Sequence, residues 1–551
     1  MIPVKLGSCH LTGIQLAPTM HSALLIDEIL RNIFDLCSYH DRRRHTLVCA
    51  SLSCKSWRDP ALDLVWDRLT SFEPLLLLLP GVLVIDGKYV CLNLRPIGEV
   101  NHICLQLLSR IIYPEDLVVF RSYARRVKHV SYRRELKVHP TIYNIFEHFL
   151  SLDANAFPVL ASVHIYFPRC SRGFLPVPLS HSLRSLDFDL GFKFRDPRID
   201  SMLCHYLEQV GVLCPQLQQV NLRGFASQRL NHTLSTFTNI QTLSLQLGHS
   251  LSFTTLRSIM AFPRLLDLEV HAGHIEPDEF DNIIGPQDYI PFQLLSKLHI
   301  RAKTPQIRAL FRHLQPNTLR HLHIDLQDDV PSATSWTKIF ELINDKASSL
   351  VCLRLEHQFE IPHLQASVST DTTQNASYNT VVANYGNLYM NLGTMETLRN
   401  LKHLRHFVCD VTIPFVVNDK DIEKIVSWWP DIEHIDLGFV PESDEIGFAW
   451  PTQLTVASLV FFAKHCLKLE RLVMPLKLCD RSLPIKPIDL APPNSLRSLA
   501  IAQLTTSQPL KIATYLHNLF PHLACLDGPR DGPEPWTETE ETLRRLCIHN
   551  Y

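Results

Sequence analysis

Glycine is scarce in this chain, 18 in 551 residues. Loops that wrap phosphates or cofactors are built largely from glycine. Neither G-x-G-x-x-G nor G-x-x-x-x-G-K-[ST] occurs, and H-E-x-x-H and G-x-S-x-G are absent too. The expectation is a chain that is not an enzyme and takes no cofactor or metal. A cysteine framework is also missing. The fifteen cysteines are an odd number, irregularly spaced and without a C-x-x-C pair, which fits a reduced cytoplasmic or nuclear setting. Excess charge is lacking: 53 Lys and Arg against 55 Asp and Glu give a net −2. No global field draws nucleic acid or an anionic membrane. Long apolar runs are lacking as well. "LLLLLPGVLVI" (75–85) is too short to span a bilayer and is broken by Pro80 and Gly81. The first twenty residues hold no continuous apolar stretch and make a poor signal peptide, so the sequons at Asn231 and Asn375 are expected to go unused.

What is present is enough apolar material to fold. Apolar residues make up 46% and charged residues 20%, and 551 residues call for several domains or one long repeat array.

Residues 22–37, "SALLIDEILRNIFDLC", place Leu25, Ile29, Ile33 and Leu36 at helical spacing, with Leu30, Phe34 and Cys37 widening the stripe. Asp27 and Glu28 fall where a helix N-terminus favours negative charge. "SYHDRRRH" reads as a polar loop. A second helix is expected through "TLVCASLSCKSWRD", and a third, "PALDLVWDRL", opening with Pro60 at its first position. Three short helices bury only a small core and leave apolar surface for a partner.

These residues resemble an F-box, in the version found in fungal F-box proteins. The family's opening Leu-Pro-x-Glu-apolar is matched by Leu25, Ile26, Asp27, Glu28 and Ile29, with Ile26 in place of proline. Its later apolar-x-Cys-x-x-Trp pattern is matched by Leu52, Cys54 and Trp57. The likeness covers residues 22–68 and implies a Skp-type adaptor as partner. The expected contacts are Leu25, Ile26, Ile29, Leu30, Ile33, Phe34, Leu52 and Trp57. Cys54 and Trp57 are expected to be packing residues, with no basic cluster to activate the thiol.

From about residue 124 one unit recurs, apolar-x-x-apolar-x-apolar. It appears as "LRSLDF" (183–188), "LQQVNL" (217–222), "IQTLSL" (240–245), "LLDLEV" (265–270), "LSKLHI" (295–300), "LRHLHI" (319–324), "LVCLRL" (350–355), "IEHIDL" (432–437), "LERLVM" (469–474) and "LRSLAI" (496–501). Weaker copies start at Val127, Leu160, Leu404 and Leu523. The last two apolar positions are two apart and share one face of a strand. Helical patterns lie between, such as "IDSMLCHYLEQV" and "DIEKIVSWW". Phe157-Pro158, Cys214-Pro215, Phe262-Pro263, Trp429-Pro430 and Phe520-Pro521 stand just ahead of strands and stop the preceding helix.

A single unit cannot bury its own apolar side, but stacked neighbours can. The pattern resembles leucine-rich repeats. It departs from them in uneven spacing and in having Gly191, Gly248 and Gly273 where asparagine is usual. The expected fold is therefore α/β: a three-helix module, then an irregular leucine-rich-repeat-like solenoid with a parallel concave sheet. The expected parts are a tail (1–21), the module (22–68), a connector or cap (69–123), the solenoid (124–530, with a polar insertion at about 360–395) and a C-terminal cap or tail (531–551).

In this register two columns face outward. One runs through Asp187, Asn221, Ser244, Glu269, His299, His323, Arg354, Val408, Asp436, Val473 and Ala500. The next holds Asp189, Arg223, Gln246, His271, Arg301, Asp325, Glu356 and Asp410. The charged middle, Glu269, His271, His299, Arg301, His323, Asp325, Arg354 and Glu356, is the expected target-binding surface. What the resemblance implies is a substrate receptor of a Skp-cullin-F-box ubiquitin ligase, holding an unknown protein target and binding neither nucleic acid nor membrane. The alternative is a leucine-rich-repeat scaffold that recruits no ligase.

Overall fold

The computed structural model describes residues 21, 26–37, 43–71, 73–79, 82–85, 88–91, 117–132, 156–167, 179–192, 197–281, 290–328, 333–358, 390–412, 415–438, 453–483, 494–528 and 534–548. The chain divides into two compact units, Met1–Arg184 and Ser185–Tyr551. Leu25, Asn375, the tail before residue 21 and most of the polar insertion lie outside the described residues.

The first unit opens with three helices, α1 (Asp27–Leu36), α2 (Arg43–Ser53) and α3 (Lys55–Trp66). Leu30 and Phe34 of α1 meet Leu47 of α2 and Ala61 of α3, with Ala50, Trp57, Leu64 and Val65 packed around them. The Phe34 and Trp57 rings meet edge to face at 5.9 Å. Arg31 ties α1 to α3, reaching Asp27 at 2.6 Å and Asp63 at 2.7 Å. Arg126 grips α3 from outside, bonding Asp59 at 2.6 Å and also Asp63.

Two expectations change here. The second helix stops at Ser53, because Cys54 is extended (φ −148°, ψ 141°) and serves as the N-cap residue of α3. Pro60 does not open a helix but sits inside α3, buried beside Ala61. An interior proline forfeits one backbone bond. Pro60 is nonetheless buried, and Ala61 beside it belongs to the three-helix core. The unit continues with β1 (Arg68–Leu69), an antiparallel hairpin of β2 (Val82–Ile85) and β3 (Lys88–Cys91), then β4 (His129–Tyr132) and β5 (Ser162–Tyr166). β1, β4 and β5 pair in parallel.

The second unit is a leucine-rich-repeat-like solenoid. Its strands are β6 (Ser185–Gly191), β7 (Gln219–Gly224), β8 (Thr242–Gln246), β9 (Asp267–His271), β10 (Lys297–Ala302) and β11 (His321–Leu326). They continue as β12 (Cys352–His357), β13 (His406–Val411), β14 (His434–Asp436), β15 (Arg471–Cys479), β16 (Ser498–Thr505) and β17 (Cys525–Asp527). Each pairs in parallel with the next in sequence. Every apolar-x-x-apolar-x-apolar unit of the sequence thus supplies one strand.

The register follows from the pattern. Leu243, Leu268, Leu298, Leu322, Leu353, Phe407, Ile435, Leu472 and Leu499 stand level on successive strands. All are buried. The backbone repeats as well: Ser296 N–H donates to Leu266 O, Arg320 to Ser296, Val351 to Arg320 and Arg405 to Val351, each at 2.8 Å. The expected helices carry the return path, among them Pro197–Leu213, Ala333–Lys346, Asp419–Trp428, Val456–His465 and Pro509–Leu519.

The aromatic- or Cys-Pro signature does more than stop a helix. In each case the residue before proline accepts from the N–H three residues on: Leu160 to Phe157, Leu217 to Cys214, Leu265 to Phe262, Ile432 to Trp429 and Leu523 to Phe520. Proline occupies the second position of that turn, where its fixed φ fits. The same turn forms without proline, as in Leu350 to Ala347 and Leu469 to Cys466. Asn494 replaces it once. Its buried side chain accepts from Leu496 N–H at 2.8 Å and donates to Cys466 O at 2.7 Å.

Asn231, a sequon residue, is buried as well. Its amide donates to Ser227 O and Ser250 O at 2.9 and 2.8 Å. The last helix, Glu534–Ile548, packs on helix Pro509–Leu519. Its Cys547 thiol reaches Leu523 O at 3.1 Å, and its Trp536 ring occupies the space beside Gly528.

Candidate functional site: two candidate faces

The open face of the second unit alternates with the core along the strands from Asp267–His271 to Cys352–His357. Glu269, His271, His299, Arg301, His323, Asp325, Arg354 and Glu356 all fall on its outward positions. The pairing sets Glu269, His299, His323 and Arg354 side by side, and one step on sets His271, Arg301, Asp325 and Glu356 in a second row.

These side chains are knitted to one another. His299 Nδ1 stands 3.2 Å from Glu269 Oε1. Ser244 and Gln246 donate to the same carboxylate at 2.7 and 2.6 Å. The His299 contact chiefly, with these donors adding to it, holds the Glu269 carboxyl down at about 2. The His299 and His323 rings stack in parallel, 3.8 Å apart and 10° from coplanar. His323 Nε2 lies 3.2 Å from Glu356 Oε1 but is not aligned for a hydrogen bond. Burial pulls the His323 ring down to about 4, and the neighbouring His299 adds to that. His271 is likewise pulled to about 4, by burial first and then by the Arg301 charge. Arg301 pairs with Asp325 at 3.2 Å and Arg354 with Glu356 at 2.5 Å.

Beyond the strand ends, a trough of about 880 Å³ runs along the face. Its lining includes Phe192, Arg223, His249, His271, His274, Arg301, Lys303, Asp325, Asp328 and Glu356. Asp325 and Asp328 are engaged, the first by Arg301 at 3.2 Å and the second by the Thr304 backbone N–H at 3.0 Å. Among the described residues, no three His, Cys, Asp or Glu side chains gather to hold a metal ion.

The outward columns do not stay open to the end. Val473 and Ala500 are buried, so the accessible wall is the polar part of the array. Apolar residues at outward positions are covered there, whereas polar ones remain half-open. The glycines at the strand ends differ in backbone conformation. Gly191 (φ 71°) and Gly224 (φ 116°) adopt the left-handed conformation, and Gly273 does not. A Cβ on Gly224 would stand 2.5 Å from Gly191 O, so only glycine permits the two strand ends to close up.

Sequence reasoning passed over what these glycines place. Phe192 and Phe225 follow them, meet edge to face at 5.8 Å, and are 39% and 41% exposed. The signal was an aromatic directly after a glycine at the strand end, at corresponding positions in adjacent repeats.

The second face is in the helical module, where the structure divides the expected adaptor contacts. Leu30 and Phe34 point into the core and Trp57 is half-buried against them. Ile26, Ile29, Ile33 and Leu52 are exposed, the last at 82%, and Leu36 and Val48 join them. Cys54 is half-exposed, not packed. The Ser56 hydroxyl at 3.0 Å lowers its thiol. Among the described residues no helix is long and apolar enough to cross a membrane.

No family model and no curated protein matches this chain. Many solved chains resemble it, among them three of different kinds. The leucine-rich repeat-containing protein LegL7 from Legionella pneumophila is 14% identical over 46% of this chain and 83% of its own, with a TM-score of 0.25. The chain matched in the complex of Rad7 and Elc1 in yeast is 15% identical over 60% and 80%, TM-score 0.30. A chain of the TLR13–ssRNA13 complex is 14% identical over 74% and 53%, TM-score 0.33. At such values the function of none of the three transfers.

Proposed function

We propose that this chain is an F-box-type substrate receptor of a Skp-cullin-F-box ubiquitin ligase. The observation that carries the reading is the apolar face of the module. Ile26, Ile29, Ile33, Leu36, Val48 and Leu52 stay exposed on a unit whose own core is already filled by Leu30, Phe34, Leu47 and Ala61. Exposed apolar rows of this kind on α1 and α2 suit a protein partner. The departure from the family at Ile26 is mild in backbone terms, since its φ of −85° is close to the value a proline ring fixes. The repeat face then holds the target. The chain performs no chemistry itself, and raises the target's effective concentration beside the ubiquitin-charged enzyme.

The test is co-expression with a Skp-type adaptor followed by co-purification. The pair elutes as one complex, and Ile29→Asp or Leu52→Asp abolishes it. An intact complex with both variants rejects the docking face. A folded chain that never binds the adaptor leaves the scaffold reading, which Ile26 in place of proline favours.

A further inference from the structure

The trough on the repeat face has one end that is not like the rest. Phe192 lines it there, and Phe225, exposed just outside that lining, meets its ring edge to face. The Arg223 guanidinium lies 5.3 Å from the Phe192 ring centre and is anchored at 2.7 Å by Asp189, a carboxylate largely buried beneath it. The Phe192 ring in turn rests near Gly248, 3.6 Å from where a Cβ would stand. This is a preorganised aromatic–arginine cluster, the composition that dominates binding energy at protein interfaces.

Charge along the trough then sets what fits. Arg301 is paired with Asp325, but its side chain is 46% exposed against 23% for the carboxylate. Arg223 and Asp189 show the same order, 51% against 14%. The acids lie below and the guanidinium forks face out. Arg301 also donates to the Gln327 amide oxygen, from Nη2 at 3.0 Å and from Nε, and the rest of its five donors remain for a ligand. Between Arg223 and Arg301 stands His271, uncharged at neutral pH and half-buried. β7 and β10 are three strands apart, roughly 14 Å at the usual spacing. Roughly four residues of extended chain cover that distance.

We infer that the trough binds an extended acidic peptide segment of the target, with an apolar side chain seated on Phe192 and Phe225 and a carboxylate about four residues away on Arg301. The inference rests on reading the repeat face as the target-binding face, and does not require the adaptor. Peptide length suits the site, since the trough crosses several strands and demands no folded partner to fill it.

The test selects random displayed peptides of about twelve residues, long enough to span the trough, on the purified full chain. Enriched sequences pair an aromatic or aliphatic residue with Asp or Glu three to five positions away (about four extended steps). The strongest peptide, labelled and titrated by fluorescence polarisation, weakens about tenfold or more with Phe192→Ser and Phe225→Ser together, and again with Arg301→Gln. Added salt weakens it too, which needs no variant. Leu510→Ser, an exposed change on helix Pro509–Leu519, leaves binding unchanged. Enrichment of basic peptides, enrichment of none, or affinity indifferent to salt and to these variants overturns the inference. Failure here with an intact adaptor complex removes the peptide site and spares the docking face. The reverse result does the opposite.

Discussion

The helical module and the repeat array treat apolar residues in opposite ways. In the array each strand's apolar pair faces a neighbour above and below, and Leu298, Ile300, Leu322, Ile324, Leu353 and Leu355 are all buried. In the module Leu30 and Phe34 are buried, yet Ile29 and Ile33, one step around the same helix, are not. A repeat buries itself by stacking, so its apolar count says nothing about partners. A three-helix module cannot, so its surplus does.

That contrast is broken most directly in the array core. Phe407 is fully buried against Phe415 and Trp429. Phe407→Ala is expected to cost about 3–5 kcal/mol, read from urea unfolding followed by circular dichroism. A loss under about 1 kcal/mol would mean the rungs do not stack as one core. Leu30→Ala in the module removes a smaller side chain and costs about 2–5 kcal/mol, detected as early proteolysis around α1 to α3.

Acid gives a subtler separation. His271, His323 and His434 are held at about 4, in each case chiefly by burial, against about 6.5 in an unfolded chain. Between those values the unfolded chain binds protons that the native chain refuses. Their contribution is complete above about pH 6.5 and is lost as pH falls toward 4. Melting temperature should drop over that window, and His434→Gln should flatten the drop. Glu269, held at about 2, adds a loss only below about pH 4.5. A melting temperature flat from pH 7 to 4.5 would contradict the burial of these rings.

Smaller again is the helix cap of Asn418, whose side chain accepts from Lys420 and Asp421 N–H while Asp421 returns the bond. Asn418→Ala should cost about 0.5–2 kcal/mol in equilibrium unfolding. Smallest is Ile29→Asp, expected to leave stability within about 0.5 kcal/mol while removing the adaptor binding proposed above. A large destabilisation would show that Ile29 is core and the module has no free face.

Much of this was legible. Fourteen copies of one short pattern predicted strands, and period two predicted which residues face out, because a buried apolar pair fixes register. The misreadings have physical causes. Pro60 looked like a helix start because local preference ignores the packing that Pro60 and Ala61 gain inside α3. Leu30 and Phe34 are among the contacts the resemblance implies, yet both fill the module's own core, since a helix apolar around much of its girth does not reveal which side its neighbours take. Val473 and Ala500 looked open because a strand pattern does not record what lies over it.

By itself the sequence determined the repeat, its parallel pairing order and the polar character of the open face, since those follow from periodicity and from the need of each unit for a neighbour. Tertiary structure alone decided which arginines sit above their carboxylates, that His299 and His323 stack, and that two aromatics at strand ends meet. Those depend on distances between residues 24 to 34 positions apart, which become neighbours only once the strands are laid side by side.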